Sequence, residues 1–310
     1  MKKIVGKTFL LAASLVALGA CNSDDDVLKN DQVELDQTPI TIQTGIYTKA
    51  YDTYWESGDA IGVYMFNPDT TAIINSQVNF KYVTAQNTEL ATFTGASSNQ
   101  ILYFPQDGSD IRLKAYYPYR STLGSGDYEY TLDVSAQGTL QNIDLMTAVY
   151  TTGYNKDDAN VRLHFYHRMS KLIFILERED DSDTVDFTDC TLTIDGMYTG
   201  GAYEIFDNQF LDVYTGPASI TVPQRTADGQ ETEAGDTRIA IVFPRPAASG
   251  VTFTFTTTSG DTYVAEMSED LDLLTGNQYT FRIILSKNPV TVTADIEPWV
   301  DNEPEEYEAR

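Results

Sequence analysis

Apolar residues recur at every second position along most of this chain. That period lets a strand bury one face but gives a helix no continuous stripe. Val78-Phe80-Tyr82, Ile111-Leu113-Ala115-Tyr117 and Tyr128-Tyr130-Leu132-Val134 alternate in the first half. Val161-Leu163-Phe165, Cys190-Leu192-Ile194, Val251-Phe253-Phe255 and Val290-Val292-Ala294-Ile296 do so in the second. Continuous apolar runs at Ile61 to Phe66, Leu172 to Leu176 and Ile239 to Phe243 suit strands buried on both faces. Turn-forming clusters separate these segments: Asn67-Pro68-Asp69, Asp107-Gly108-Ser109, Gly124-Ser125-Gly126-Asp127, Asp207-Asn208 and Ser259-Gly260-Asp261. Many short strands rich in Tyr, Phe, Thr and Val predict an all-β chain of β-sandwiches. The best helix candidate, Ser268 to Leu274, is two turns at most.

The start of the chain follows a different rule. Lys2, Lys3 and Lys7 precede the apolar run Phe9 to Leu18, and Gly19-Ala20-Cys21 follows. This is the layout of a signal peptide, residues 1–20, which takes no part in the fold. The run is about ten residues, half of the roughly twenty a helix needs to span the hydrocarbon, so it does not serve as a membrane anchor. Leu18-Gly19-Ala20-Cys21 resembles the lipobox of bacterial lipoproteins, which makes Cys21 the acylated first residue of the mature chain. Residues 21–37 are acidic, lack apolar periodicity and read as a tether, and Asn22-Ser23-Asp24-Asp25-Asp26 resembles an export signal for the outer face of the outer membrane.

Charge excludes two partner classes. The signal peptide holds three of the 20 basic residues and no acidic one, so the mature part carries 17 against 46, a formal net charge of −29. Nucleic acid and anionic headgroups are both bound through Lys and Arg clusters, so neither is a partner here. Cys21 and Cys190 are the two cysteines, and an acylated Cys21 leaves no intramolecular disulfide. Cys190 alternates with Leu192 and Ile194 and reads as a small buried hydrophobe.

No catalytic pattern stands out. The two histidines, His164 and His167, are three apart on a predicted strand, point to opposite faces and cannot share a metal. The sequence contains no Gly-x-Ser-x-Gly elbow, His-Glu-x-x-His pair or phosphate loop. Among 46 acidic residues, paired carboxylates arise by chance, so a glycosidase pair does not follow from their presence. Asp180-Asp181-Ser182-Asp183 with Asp186 lacks the spacing and glycine of a calcium loop and reads as a solvated acidic loop. No metal or cofactor is expected, and the chain is not expected to be an enzyme. The twenty tyrosines could form a sugar-stacking platform, although most fall at inward-facing alternation positions and read as core.

Several stretches, in a shared order over roughly residues 40 to 300, resemble the fimbrillin family, the Mfa-like pilus subunits and adhesins of Bacteroidales-type bacteria. They are Trp55-Glu56-Ser57-Gly58-Asp59-Ala60-Ile61-Gly62-Val63-Tyr64, Lys114-Ala115-Tyr116-Tyr117-Pro118-Tyr119, Asp144-Leu145-Met146, His167-Arg168-Met169-Ser170-Lys171-Leu172, Leu274-Thr275-Gly276-Asn277-Gln278-Tyr279 and Ile296-Glu297-Pro298-Trp299. The resemblance implies two tandem transthyretin-like, Greek-key β-sandwiches; the polar stretch Asp157-Asp158-Ala159-Asn160 reads as the seam, giving 38–160 and 161–310, with Glu177 to Asp183 as the alternative seam. It also implies lipoprotein export and assembly with other fimbrial subunits by strand donation. A protease removes the first strand, and a neighbour's C-terminal strand fills the groove by β-augmentation. The removable strand maps onto Ile40, Ile42 and Ile46, and the donor onto Val290, Val292, Ala294 and Ile296. The family's cut follows an arginine before an alanine; here no arginine precedes Arg112, and Lys49-Ala50 stands in that place. Processing therefore requires a protease that accepts lysine. The expected role is a cell-surface fimbrial subunit or anchor, lipid-held in the outer membrane, that meets a host or bacterial receptor. A glycan-binding surface lipoprotein of a carbohydrate uptake system is the alternative.

Overall fold

A computed structural model describes residues 37–46, 54–69, 72–74, 78–148, 151–178, 190–225, 237–245, 250–267, 271–285 and 291–298. Within the unit Gln37–Arg310 the regular structure of these residues is strand apart from short 3-10 turns such as Ser98–Gln100 and Leu140–Asn142, as the period-two pattern predicts. In chain order the strands are β1 (Ile42–Ile46), β2 (Ala60–Phe66), β3 (Phe80–Val83), β4 (Leu90–Gly95), β5 (Ile111–Tyr117), β6 (Glu129–Asp133), β7 (Met146–Ala148), β8 (Thr151–Tyr154), β9 (Val161–His167) and β10 (Ser170–Arg178). They continue as β11 (Thr191–Met197), β12 (Gly200–Glu204), β13 (Gln209–Phe210), β14 (Ala218–Val222), β15 (Gln224–Arg225), β16 (Thr237–Val242), β17 (Thr252–Thr256), β18 (Thr262–Glu266), β19 (Asn277–Leu285) and β20 (Thr291–Pro298).

The largest sheet has the order β2-β3-β4-β1-β9-β7-β5-β8, and a further β2–β5 pairing closes its first seven strands into a ring. Inside lies one core, built by Ile42 of β1, Ile61, Val63 and Met65 of β2, Phe93 of β4, Leu113 of β5 and Phe165 of β9. The other face of β2 carries Tyr64 and Phe66 into a second core. Ile61 to Phe66 is thus apolar throughout because both of its faces are buried. Ile239 to Phe243 is buried throughout as well. Leu172 to Leu176 departs from that expectation: Leu172, Phe174 and Leu176 are buried, whereas Ile173 and Ile175 remain partly exposed, since β10 covers the core with one face only.

The second core fills the space between the sheet β15-β16-β10-β19-β20 and the sheet β14-β11-β17-β18. Phe174 of β10 meets Phe253 of β17 edge-on at 4.8 Å and stacks on Phe281 of β19 at 5.2 Å, so the two sheets lie face to face. Cys190, Leu192 and Ile194 all point into this core, as their alternation predicts. A three-stranded sheet, β13-β12-β6, joins a strand from the first half of the chain to two from the second.

Two sequence expectations are corrected here. Asp157 to Asn160 is no seam: Asn155 Oδ1 accepts the backbone N–H groups of Asp157 and Asp158 at 2.9 and 3.0 Å, closing a turn, and β9 beyond it returns to the first sheet between β1 and β7. The described part of the candidate helix is extended instead, because Leu273 is buried and exchanges backbone hydrogen bonds with Arg245 at 2.7 and 2.8 Å.

Lys114 on β5 is fully buried, and its Nζ donates to Asn208 Oδ1 at 2.6 Å. Burial, with the Arg168 charge nearby, brings its pKa down from 10.5 to about 7. The unfolded chain then holds a proton that the fold releases, so stability rises with pH from about 7 until unfolded tyrosines ionise near pH 10. Urea midpoints should therefore rise between about pH 7 and pH 9.5 in the wild type, and Lys114→Met should flatten that rise. An unchanged slope in the variant would place the titration elsewhere.

Candidate assembly groove

The first strand of the fold is an interior strand. β1 pairs antiparallel with β4, Ile42 opposite Phe93 and Thr44 opposite Ala91, and parallel with β9, Ile42 opposite Val161 and Ile46 opposite Phe165. Ile40, Ile42 and Thr44 are enclosed, and Ile46 packs partly buried against the same core. Neighbouring strands lie about 4.8 Å apart, so withdrawal of β1 leaves a gap of about 10 Å between two unpaired edges.

Side chains from the body of the fold also grip this strand through its carbonyls. Trp55, fully buried, donates its indole N–H to Thr44 O at 3.0 Å and is wedged edge-on against Phe93, Tyr117 and Phe165 at 4.9, 5.3 and 5.4 Å. Tyr82 donates its hydroxyl to Ile40 O at 3.2 Å and accepts the Leu102 N–H at 3.0 Å. Burial pushes the Tyr82 phenol up to about 12, so it stays a donor at any physiological pH. Alternation reveals the inward isoleucines, but nothing in the sequence shows that Trp55 and Tyr82 reach the backbone of β1.

The recurring motifs acquire physical reasons in the fold. Asp59 closes the turn after Trp55, accepting the Glu56 N–H at 2.8 Å and the Tyr117 hydroxyl at 3.0 Å, and burial raises its pKa above the ordinary carboxylate value. Gly58 between them has φ +105°, a conformation open to glycine. Asp144-Leu145-Met146 and His167-Arg168, far apart in sequence, meet: His167 Nδ1 lies 2.8 Å from Asp144 Oδ1, and the Arg168 N–H donates to Leu145 O at 2.8 Å. His167 is buried, whereas His164 sits partly exposed on the opposite face, as the three-residue spacing requires. Of the tyrosines among the described residues, Tyr54 and Tyr214 are exposed, and Tyr64, Tyr82, Tyr116, Tyr130, Tyr203 and Tyr279 are fully enclosed in core.

At the other end of the chain, β20 is the edge strand of its sheet, paired antiparallel with β19 alone. Its register sets Val292, Ala294 and Ile296 opposite Ile283, Phe281 and Tyr279. Cys21, Lys49, Ala50, Val290 and the Asp180–Asp186 loop lie outside the described residues.

Among the described residues, then, this all-β fold holds its first strand in the interior of a sheet and its last at an edge. The chain matches the fimbrillin-like family over residues 48–299, and it belongs to that family. It is 36% identical over 258 residues, 81% of each chain, to the protein named "Putative fimbrium subunit Fim1C" of Bacteroides uniformis. Its fold is similar to the crystal structure of a "putative cell adhesion protein" from Bacteroides uniformis, at 32% identity and a TM-score of 0.74, covering 86% of this chain and 98% of that one. The tip fimbrial protein Mfa3 from Porphyromonas gingivalis shares the fold at 9% identity and a TM-score of 0.50, covering 84% of this chain and all of that one.

Proposed function

We propose that this chain is a structural or adhesive fimbrial subunit of the cell surface, lipid-anchored through Cys21 and assembled by strand donation between two-domain, transthyretin-like subunits. Family membership and the fimbrial and adhesive relatives support the surface role. The observation that carries the assembly mechanism is the place of β1: it fills an interior position, yet it is the first strand among the described residues, so one cut behind it frees it without breaking the strands that follow. Lys49, three residues past the end of β1, is the sole basic residue between Lys29 and Lys81. Once β1 is gone, the β4 and β9 edges offer unpaired N–H and C=O groups above an apolar floor, which is a template for an alternating strand. Catalysis has no place in this reading, in which buried His167 is paired with Asp144 as part of the fold and the groove is lined by core side chains.

Brief trypsin treatment is expected to yield a species that begins at Ala50 and forms ladders of oligomers on incubation, while Lys49→Gln stays monomeric. Oligomers that form equally from uncut Lys49→Gln protein would show that strand removal is not the trigger.

A further inference from the structure

A sheet edge presents a row of unpaired backbone N–H and C=O groups to any passing chain, and folded proteins blunt such edges with proline, charge, bulges or very short strands. Among the described residues, most edges of this fold are blunted in one of these ways. β13 and β15 are two residues each. The pairings of β8 with β5 and of β14 with β11 slip register, and β14 lies between Pro217 and Pro223. On β6, Arg120 Nη1 caps the Thr131 carbonyl at 2.7 Å. β20 carries Asp295, Glu297 and Pro298.

β18, the edge strand beside β17, is regular and open. Its register runs unbroken from Thr262 opposite Thr256 to Glu266 opposite Thr252, and it holds no proline, lysine or arginine. The Met267 N–H donates to Val251 O at 2.9 Å and Asp261 O accepts the Thr257 N–H at 3.0 Å, so the odd-numbered residues turn their backbone groups towards β17. Thr262, Val264 and Glu266 therefore turn theirs to the open edge. At the centre of that edge Val264 is 55% exposed, on the outward face beside the uncharged Thr252, Thr254 and Thr256 of β17.

We propose that β18 pairs antiparallel with β18 of a second copy about a two-fold axis at Val264, joining two four-stranded sheets into one continuous sheet. The edge is complementary to itself, which is what selects a second copy as its occupant. In this register all five residues pair: Glu266 of each copy faces Thr262 of the other, Tyr263 faces the small Ala265, and Val264 faces Val264. Charge makes that register matter, because the mature chain carries −29 and a second copy can approach only where carboxylate does not meet carboxylate. A shift that centres on Glu266, or a parallel neighbour in the same register, sets like charges side by side. The open backbone groups of Thr262, Val264 and Glu266 then exchange about six hydrogen bonds. One strand pair buries far less than the roughly 1,600 Å² of a standard interface, so single subunits pair weakly, and repeated copies along two assembled polymers pair by avidity. The contact lies apart from the β1 groove and does not depend on strand removal.

The test uses the uncut, full mature chain made soluble by Cys21→Ser, in which buried Cys190 is the remaining cysteine. Hydrogen-bonded cross-strand partners lie about 5.5 Å apart at Cα, within disulfide reach, whereas the two Thr254 positions would lie about 14 Å apart. Val264→Cys is therefore expected to oxidise to a covalent dimer at least about tenfold faster than Thr254→Cys. Thr262→Cys mixed with Glu266→Cys should cross-link, while neither should link to itself. Without an added cysteine, sedimentation should show dimers that grow with concentration and that Val264→Pro abolishes. The Val264 N–H faces the open edge, so proline removes a donor from the pair and none from the ladder to β17. Val264→Lys, which sets like charges at the axis, should act the same way, and an unchanged denaturation midpoint certifies the fold of either variant. Equal oxidation of Val264→Cys and Thr254→Cys, or Thr262→Cys linking to itself as fast as to Glu266→Cys, would overturn the proposed pairing. Wild-type protein that stays monomeric at every concentration would overturn it outright and leave the edge to a different partner.

Discussion

Cys21→Ser is expected to abolish incorporation of a fatty-acid probe and to move the protein from the membrane fraction into the soluble fraction. The argument is one of length and chain number. The apolar run before Cys21 is about half the span of a bilayer helix, so it cannot hold the protein once export is complete. Among the described residues no helix is long and apolar enough to cross a membrane. In the proposed anchoring, attachment rests on acyl chains at Cys21, each buried methylene contributing roughly 0.8 kcal/mol, with more than one chain needed for stable anchoring. A single atom change at Cys21 removes all of them at once. Undiminished labelling of the serine variant would place the lipid elsewhere or remove it from the account.

Gly62→Ala is expected to destabilise the fold by about 3 kcal/mol or more, well beyond the usual cost of a surface glycine. A Cβ at Gly62 would lie 2.0 Å from Cε1 of Tyr116, whose ring is fully enclosed and whose hydroxyl donates to Asn79 Oδ1 at 2.7 Å and to Arg120 O at 3.0 Å. The ring cannot swing away without giving up both bonds, and β2 cannot retreat because it pairs with β3 on one side and β5 on the other. Chemical denaturation checks the loss. In a double-mutant cycle, Gly62→Ala combined with Tyr116→Ala should cost clearly less than the two single changes together, since truncating the ring makes room for the methyl. Additive costs would mean that the contact is not the cause.

How far the fold could be read from the sequence depends on how local each signal is. Alternation at Val161 to Phe165 and Val251 to Phe255 is local, and it gave both the strand and its buried face, whereas at Ile111 to Tyr117 it gave the strand and only one of two buried faces. The continuous run Ile61 to Phe66 correctly announced two buried faces, whereas the similar run Leu172 to Leu176 did not, because hydrophobicity alone does not reveal whether a second layer covers Ile173 and Ile175. The polar turn at Asp157 to Asn160 looks like a linker, but whether a turn separates domains or returns a strand to its own sheet depends on the parallel pairing of β9 with β1, more than a hundred residues away in sequence. Lys114 stands at a position that alternation assigns to solvent, and the covering turn at Asn208 buries it. In the groove, the isoleucines of β1 were legible from their spacing. The grip of Trp55 and Tyr82 on its carbonyls was not, since a side chain that bonds backbone leaves no pattern in sequence.

The most direct test of strand removal and exchange is the N-terminal sequence of the subunit taken from assembled surface polymers. Strand exchange through the β1 groove requires that polymerised subunits begin at Ala50, with the acylated Cys21 segment recovered separately or confined to unassembled protein. Polymers whose subunits still begin at Cys21 would contradict it, because β1 would then remain covalently in place in the site that a neighbour has to fill.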